Sequence, residues 1–150
     1  MPNPDHIDEL IQGLTAYQKD VKVEDLLESA LAEPLTTEER LRQVEQALET
    51  FKSLGLFGKD DARDLHLLLT LARTYERLSH LEKAHETYEV VLSLAEKLED
   101  AENEALVLCR MGRVLSRWDR WEEAQDYLAR SHRRYEALDD TEGLARVAIN

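Results

Sequence analysis

Six arginines carry the strongest chemical signal in the chain. Arg110, Arg113 and Arg117 follow i, i+3, i+7 spacing, which places them on one face of a helix. Arg73 and Arg77 repeat Arg113 and Arg117 forty residues earlier, and Arg146 follows them further on. A guanidinium is a planar fork that grips carboxylates through paired hydrogen bonds, so this pattern suits recognition of acidic groups and not bond-making. The residues expected to contact a partner are His66, Leu69, Thr70, Arg73, Arg77, Cys109, Arg110, Arg113, Arg117 and Arg146. The competing reading is a solvated face balanced by Glu76 and neighbouring acids, where exposed pairs contribute little.

Nothing else in the sequence has the spacing of a reactive site. There is no glycine-rich phosphate loop, no nucleophile elbow and no His-Glu-x-x-His motif. His80 and His85 are five residues apart, which puts them on different sides of a helix, whereas two metal ligands on one face need i, i+4. The single cysteine, Cys109, matches Leu69 at the forty-residue offset and is expected to be a small hydrophobe. We therefore expect no enzyme activity, no metal and no cofactor. Trp121 aligns with Leu41 and Leu81 and is expected to pack in a helix corner, leaving Trp118 either to cover the turn or to anchor a partner.

The elements that would position the arginines come from a repeat. Leu68, Leu71, Ala72 and Tyr75, then Ala84, Tyr88 and Val91, recur forty residues on as Leu108, Met111, Gly112 and Leu115, then Ala124, Leu128 and Ser131. Each half follows helical spacing, so each copy reads as two amphipathic helices joined by a short turn. The small residues fall where helix backbones approach closely. Asp60, Asp100 and Asp140, also forty apart, are expected to cap first helices. Thr36 and Glu39 form a capping-box candidate for a helix with Leu41, Val44, Leu48 and Phe51 inward, which Gly55 can close in a left-handed cap.

At these positions the chain resembles the tetratricopeptide repeat family, in its longer variant of about forty residues per unit. Leu68, Leu71-Ala72, Tyr75, Ala84 and Tyr88 carry the likeness, with Gly112 in the second unit. Where that variant often has Leu-Gly-Asp, this chain has Leu98-Glu99-Asp100 and Leu138-Asp139-Asp140, a departure that bears on the sharpness of the turn and not on its place. The resemblance implies an all-α fold, a right-handed array of antiparallel helix pairs forming a TPR-like α-solenoid. It also implies that the arginine face is a concave groove holding a protein or peptide, which the arginines would make acidic. The second reading that it implies is an N-terminal sensory or dimerising domain of a longer bacterial signalling protein or transcription regulator.

The expected layout is an N-terminal helical cap over 1–34 including a short degenerate first helix, the second helix of a degenerate repeat over 35–58, repeats over 59–99 and 100–139, and the first helix of a further repeat over 140–150. Asn3-Pro4-Asp5 starts the cap, and its second helix stops before Pro34. A natural array seldom stops inside a helix, so the chain is expected to be the front piece of a longer protein, the alternative being that its last helix caps the stack. Val147, Ala148 and Ile149 leave an apolar edge on which a second copy could dock. The formal net charge of −13 argues against nucleic acid and anionic membranes as partners. No apolar run is long enough to span a bilayer, and the expected location is cytoplasmic.

Overall fold

Helices of equal length joined by equal turns make up most of the chain. In the computed structural model, which describes residues 36–148, α1 runs Thr37–Ser53, α2 Asp61–Arg77, α3 Leu81–Lys97, α4 Ala101–Arg117, α5 Trp121–Ala137 and α6 Thr141–Ala148. The described residues are all-helical and contain no strand. The chain divides into two units, Met1–Asp60 and Asp61–Asn150. The cap expected over 1–34 and the last residues, Ile149 and Asn150, lie outside the described residues.

In the first unit α1 begins as its sequence predicts. Glu39 N–H donates to Thr36 Oγ1 at 3.1 Å and Thr36 N–H donates to Glu39 Oε2 at 3.2 Å, so two amides that the helix leaves open are satisfied reciprocally. Val44, Ala47 and Phe51 are its buried residues, and Gly55 ends it at φ 68°.

In the second unit each of α2 to α5 has 17 residues, and three residues separate each helix from the next. The sequence repeat of forty is thus two equal halves. Links this short fold each helix back along its predecessor, and successive helices from α2 to α6 do pack together, with α4 also meeting α6. All four turns close in the same way. The third link residue donates its N–H into the last turn of the preceding helix, as in His80 to Tyr75 O at 2.9 Å and Asp100 to Ala95 O at 2.9 Å. The middle residue donates one step later, as in Ser79 to Glu76 O and Glu99 to Glu96 O. This geometry needs a left-handed residue, and Ser79, Glu99, Asp119 and Asp139 adopt it at φ 60°, 53°, 60° and 53°. Four non-glycine residues at these left-handed positions therefore leave the turns intact at the cost of backbone strain. Glu99→Gly should raise stability by about 0.5–1 kcal/mol, less than the relief of strain alone because glycine also frees the unfolded chain. Urea unfolding read by circular dichroism measures this.

The helix starts and close approaches also follow the repeat. Asp100 accepts from Asn103 N–H at 3.1 Å, and Asp140 Oδ1 accepts from Gly143 N–H at 2.9 Å. At the α4–α5 crossing, a Cβ on Gly112 would lie 2.6 Å from Leu128 Cγ and 3.3 Å from the Ala124 carbonyl, so a side chain there would push the helices apart. Ser131, which breaks the apolar pattern that Val91 sets, is fully buried and donates its hydroxyl to Ala105 O at 2.8 Å. A polar group at a core position is thus satisfied by the neighbouring helix. Lys97 at the end of α3 meets Asp61 at the start of α2 at 2.9 Å.

Candidate functional site

Glu76, in the last turn of α2, is the point on which the arginines converge. Its side chain is buried at 6% exposure, and Arg110 from α4 places Nη1 3.3 Å from Glu76 Oε2. Two turns further along the same face of α4, Arg117 donates from Nη1 to the Glu76 backbone carbonyl at 2.9 Å and from Nη2 to Ser79 Oγ at 2.7 Å. The carbonyl end of a helix carries partial negative charge, so a guanidinium seated there stabilises α2 as well as tying it to α4. Arg110 and Arg117 therefore bracket the C-terminal end of α2 from the equivalent helix of the next repeat.

Arg73 joins the same cluster. Partial burial, repulsion from Arg110 and repulsion from Arg77 pull its guanidinium below the ordinary arginine value, with Tyr88 and Glu76 acting the other way. The group remains charged, but its environment holds more positive charge than Glu76 offsets. Tyr88 from α3 lies beneath the cluster at 0% exposure, with Arg110 beside its hydroxyl but outside good hydrogen-bond geometry. Burial, followed by the nearby Glu76 carboxylate, raises that hydroxyl above the usual tyrosine range, and Arg110 opposes the shift.

At the far end of α4, Arg113, Ser116, Arg117, Asp119 and Trp121 line an open cleft of about 380 Å³. Trp121 is 59% exposed, which corrects the expectation that it packs in the corner. Its equivalents Leu41 and Leu81 are only half-buried, so the longer indole at the same site projects into solvent. Trp118 is the residue that covers the turn. It stands edge-on to His85, with ring centroids 6.3 Å apart, and the Arg120 guanidinium lies over it at 4.8 Å.

The other expected contact residues divide. His66 is exposed, and Thr70 is half-buried with its hydroxyl donating to His66 O at 3.0 Å. Leu69 and Cys109 are corrected: at 8% and 0% exposure they are core residues that a partner does not reach, because that side of α2 and α4 faces neighbouring helices. Arg146 donates to Tyr135 Oη at 3.2 Å and lies 3.8 Å from Glu142, so α5 and α6 engage it apart from the Glu76 cluster. Val147, expected on an open edge, is buried with Ala105, Cys109 and Tyr135.

Sequence reasoning found the cations and named Glu76 as a balancing acid on a solvated face, but missed that Glu76 is buried and that its backbone carbonyl and Ser79 hold Arg117. The relevant signal was present: Arg117 falls forty residues after Arg77, within side-chain reach of the turn that ends α2 once repeats lie side by side. Among the described residues, no group of three or more His, Cys, Asp or Glu side chains could hold a metal ion, and no helix is long and apolar enough to cross a membrane.

No protein-family model matches the chain, and no curated protein matches it. Among solved structures it is similar to BtubC (BKLC) from P. vanneervenii, at 19% identity and a TM-score of 0.55, over 89% of this chain and 63% of that one. The chain thus spans less than two thirds of that protein's length. At this identity the likeness describes the fold alone.

Proposed function

We propose that the chain is a protein-interaction scaffold of the tetratricopeptide type. In this reading it is a right-handed α-solenoid of antiparallel helix pairs, without enzyme activity, working in the cytoplasm. The face shared by α2 and α4 holds an acidic peptide or acidic segment of a partner protein. One observation carries this reading: Arg110 pairs with the Glu76 carboxylate, Arg117 bonds the backbone of the same residue, and Arg73 lies close enough to feel Arg110, Arg77 and Glu76, on a chain whose net charge is −13. A cationic cluster on an acidic molecule steers acidic ligands to one place and repels them elsewhere.

The structure also selects the variant that tests this. Arg117 bonds Ser79 and the end of α2, so reversing its charge would loosen the fold together with any site. Arg73 and Arg77 are exposed. The double variant Arg73→Glu, Arg77→Glu should weaken binding of a fluorescein-labelled acidic decapeptide by about tenfold or more, a loss of about 1.4 kcal/mol or more. Its melting temperature should stay within about 3 °C of the parent, as expected for surface changes. Anisotropy titration reads the first quantity and circular dichroism the second. Equal affinity for parent and variant would remove the acidic-ligand assignment.

A further inference from the structure

Resting on the acidic-partner reading, we propose that the cleft at the α4–α5 corner selects one large apolar side chain lying next to a carboxylate in the partner's segment. The cleft has two unlike walls. Trp121 supplies an exposed indole face, and among the described residues it is the most exposed of the large hydrophobics, ahead of Val90 and Leu98. Arg113 and Arg117, one helical turn apart, supply the cationic wall.

Arg117 is held in place before any ligand arrives, since Glu76 O and Ser79 Oγ fix its two terminal nitrogens. Those bonds leave N–H groups of the guanidinium unused, and a fork already immobilised loses little entropy when it takes a carboxylate. Ser116 donates its hydroxyl to Gly112 O at 2.9 Å, so it offers the cleft an acceptor and no donor. Asp119 also lines the cleft, and its carboxylate repels a second anion and so favours an apolar group over another acid beside the first. A volume of about 380 Å³ is at the small end for ligand sites and suits a side chain with its neighbour, not a bulky cofactor. Charge complementarity with Arg113 and Arg117 is what commits the occupant to a partner's acidic segment.

The test uses two blocked pentapeptides of equal charge, Glu-Asp-Leu-Glu-Asp and Glu-Asp-Ala-Glu-Asp. Of the chain's two tryptophans, Trp118 is replaced (Trp118→Phe) so that fluorescence reports Trp121 alone. The leucine peptide should bind about five- to tenfold more tightly than the alanine peptide and shift the emission to the blue. Trp121→Ser, with Trp118 retained and affinities measured by calorimetry, should erase that difference between the two peptides. Equal binding of both peptides overturns the cleft assignment and leaves the acidic-ligand reading standing. Failure of both peptides to bind overturns the two together. A blue shift that grows with protein concentration and without peptide assigns the indole to a second copy of the chain, which also overturns the proposal.

Discussion

Gly143→Ala should expose Cys109 to thiol reagents. A Cβ at position 143 would lie 2.2 Å from Tyr135 Cδ1 and 2.4 Å from Cε1, far inside contact distance. The ring cannot easily yield, because Tyr135 is 2% exposed and packs with Ala105, Cys109 and Val147. Alanine in a helix interior normally gains about 1 kcal/mol over glycine, so propensity alone predicts a more stable α6. Overpacking a rigid neighbour costs about 1–3 kcal/mol and reverses that sign. The cheapest relief is for α6 to lift away, since its described part is eight residues long and packs chiefly on α5, with a smaller contact to α4. Lifting it uncovers Cys109, the only cysteine, which is 0% exposed when α6 is docked. Each 1.4 kcal/mol lost from docking multiplies the open population about tenfold, so Ellman's reagent should label the variant about tenfold faster or more. Combining Gly143→Ala with Tyr135→Ser should shrink the added cost, because the ring it meets is gone. Unchanged labelling and unchanged melting would mean that Tyr135 swings aside freely.

The same crossing shows which parts of the molecule were legible in the sequence. Features enforced by backbone geometry were readable, because only a few residue types satisfy them. Thr36 and Glu39 make a capping box, Asp100 and Asp140 cap their helices, Gly55 takes the left-handed position, and Gly112 sits at a close crossing. The all-helical build and the period of forty followed from such positions. Side-chain pairing between helices was harder to read, since it depends on reach and direction as well as register. Placing Arg110 and Arg117 on one helical face was sound, yet both are drawn back to the end of α2 by partners that periodicity does not reveal. The exposure of Trp121 was missed for a similar reason. Alignment with Leu41 and Leu81 fixed the position of the Cα but not the depth of a pocket, and the indole outgrew it.

If the proposed acidic ligand binds here, the cations near Glu76 have two roles that mutation can separate. Arg110 and Arg117 hold α2 to α4, so their loss should appear in stability as well as in binding. Arg73 is crowded by Arg110 and Arg77, so an arriving carboxylate relieves repulsion there and does not have to displace a structural bond. Leaving Glu76 buried and unpaired by truncating Arg110 would be costly, since an uncompensated buried carboxylate is strongly destabilising.

Tyr88→Ala should be among the most damaging single changes in the chain, whereas Tyr88→Phe should be harmless. The ring is 0% exposed within α3, and removing a buried aromatic costs about 3–5 kcal/mol through lost transfer energy and the cavity left behind. For a chain of this size that lowers the melting temperature by roughly 10 °C. The hydroxyl contributes nothing comparable: it is buried beside Arg110 without good hydrogen-bond geometry, so its desolvation cost and that contact offset each other and deleting it should change stability by no more than about 1 kcal/mol. Its raised pKa adds a second readout. The folded protein holds the Tyr88 proton to higher pH than the unfolded chain does, where a tyrosine titrates near its ordinary 10.0. Below about pH 10 both states keep the proton and this contribution to stability is complete. Above it the unfolded state ionises first, so stability falls as pH rises toward the folded pKa. Phenylalanine has no such proton, and Tyr88→Phe should therefore flatten the loss of stability above pH 10 in denaturant titrations at stepped pH. If the parent and Tyr88→Phe decline in parallel there, Tyr88 is not the group responsible, and the hydroxyl must have found a partner or solvent.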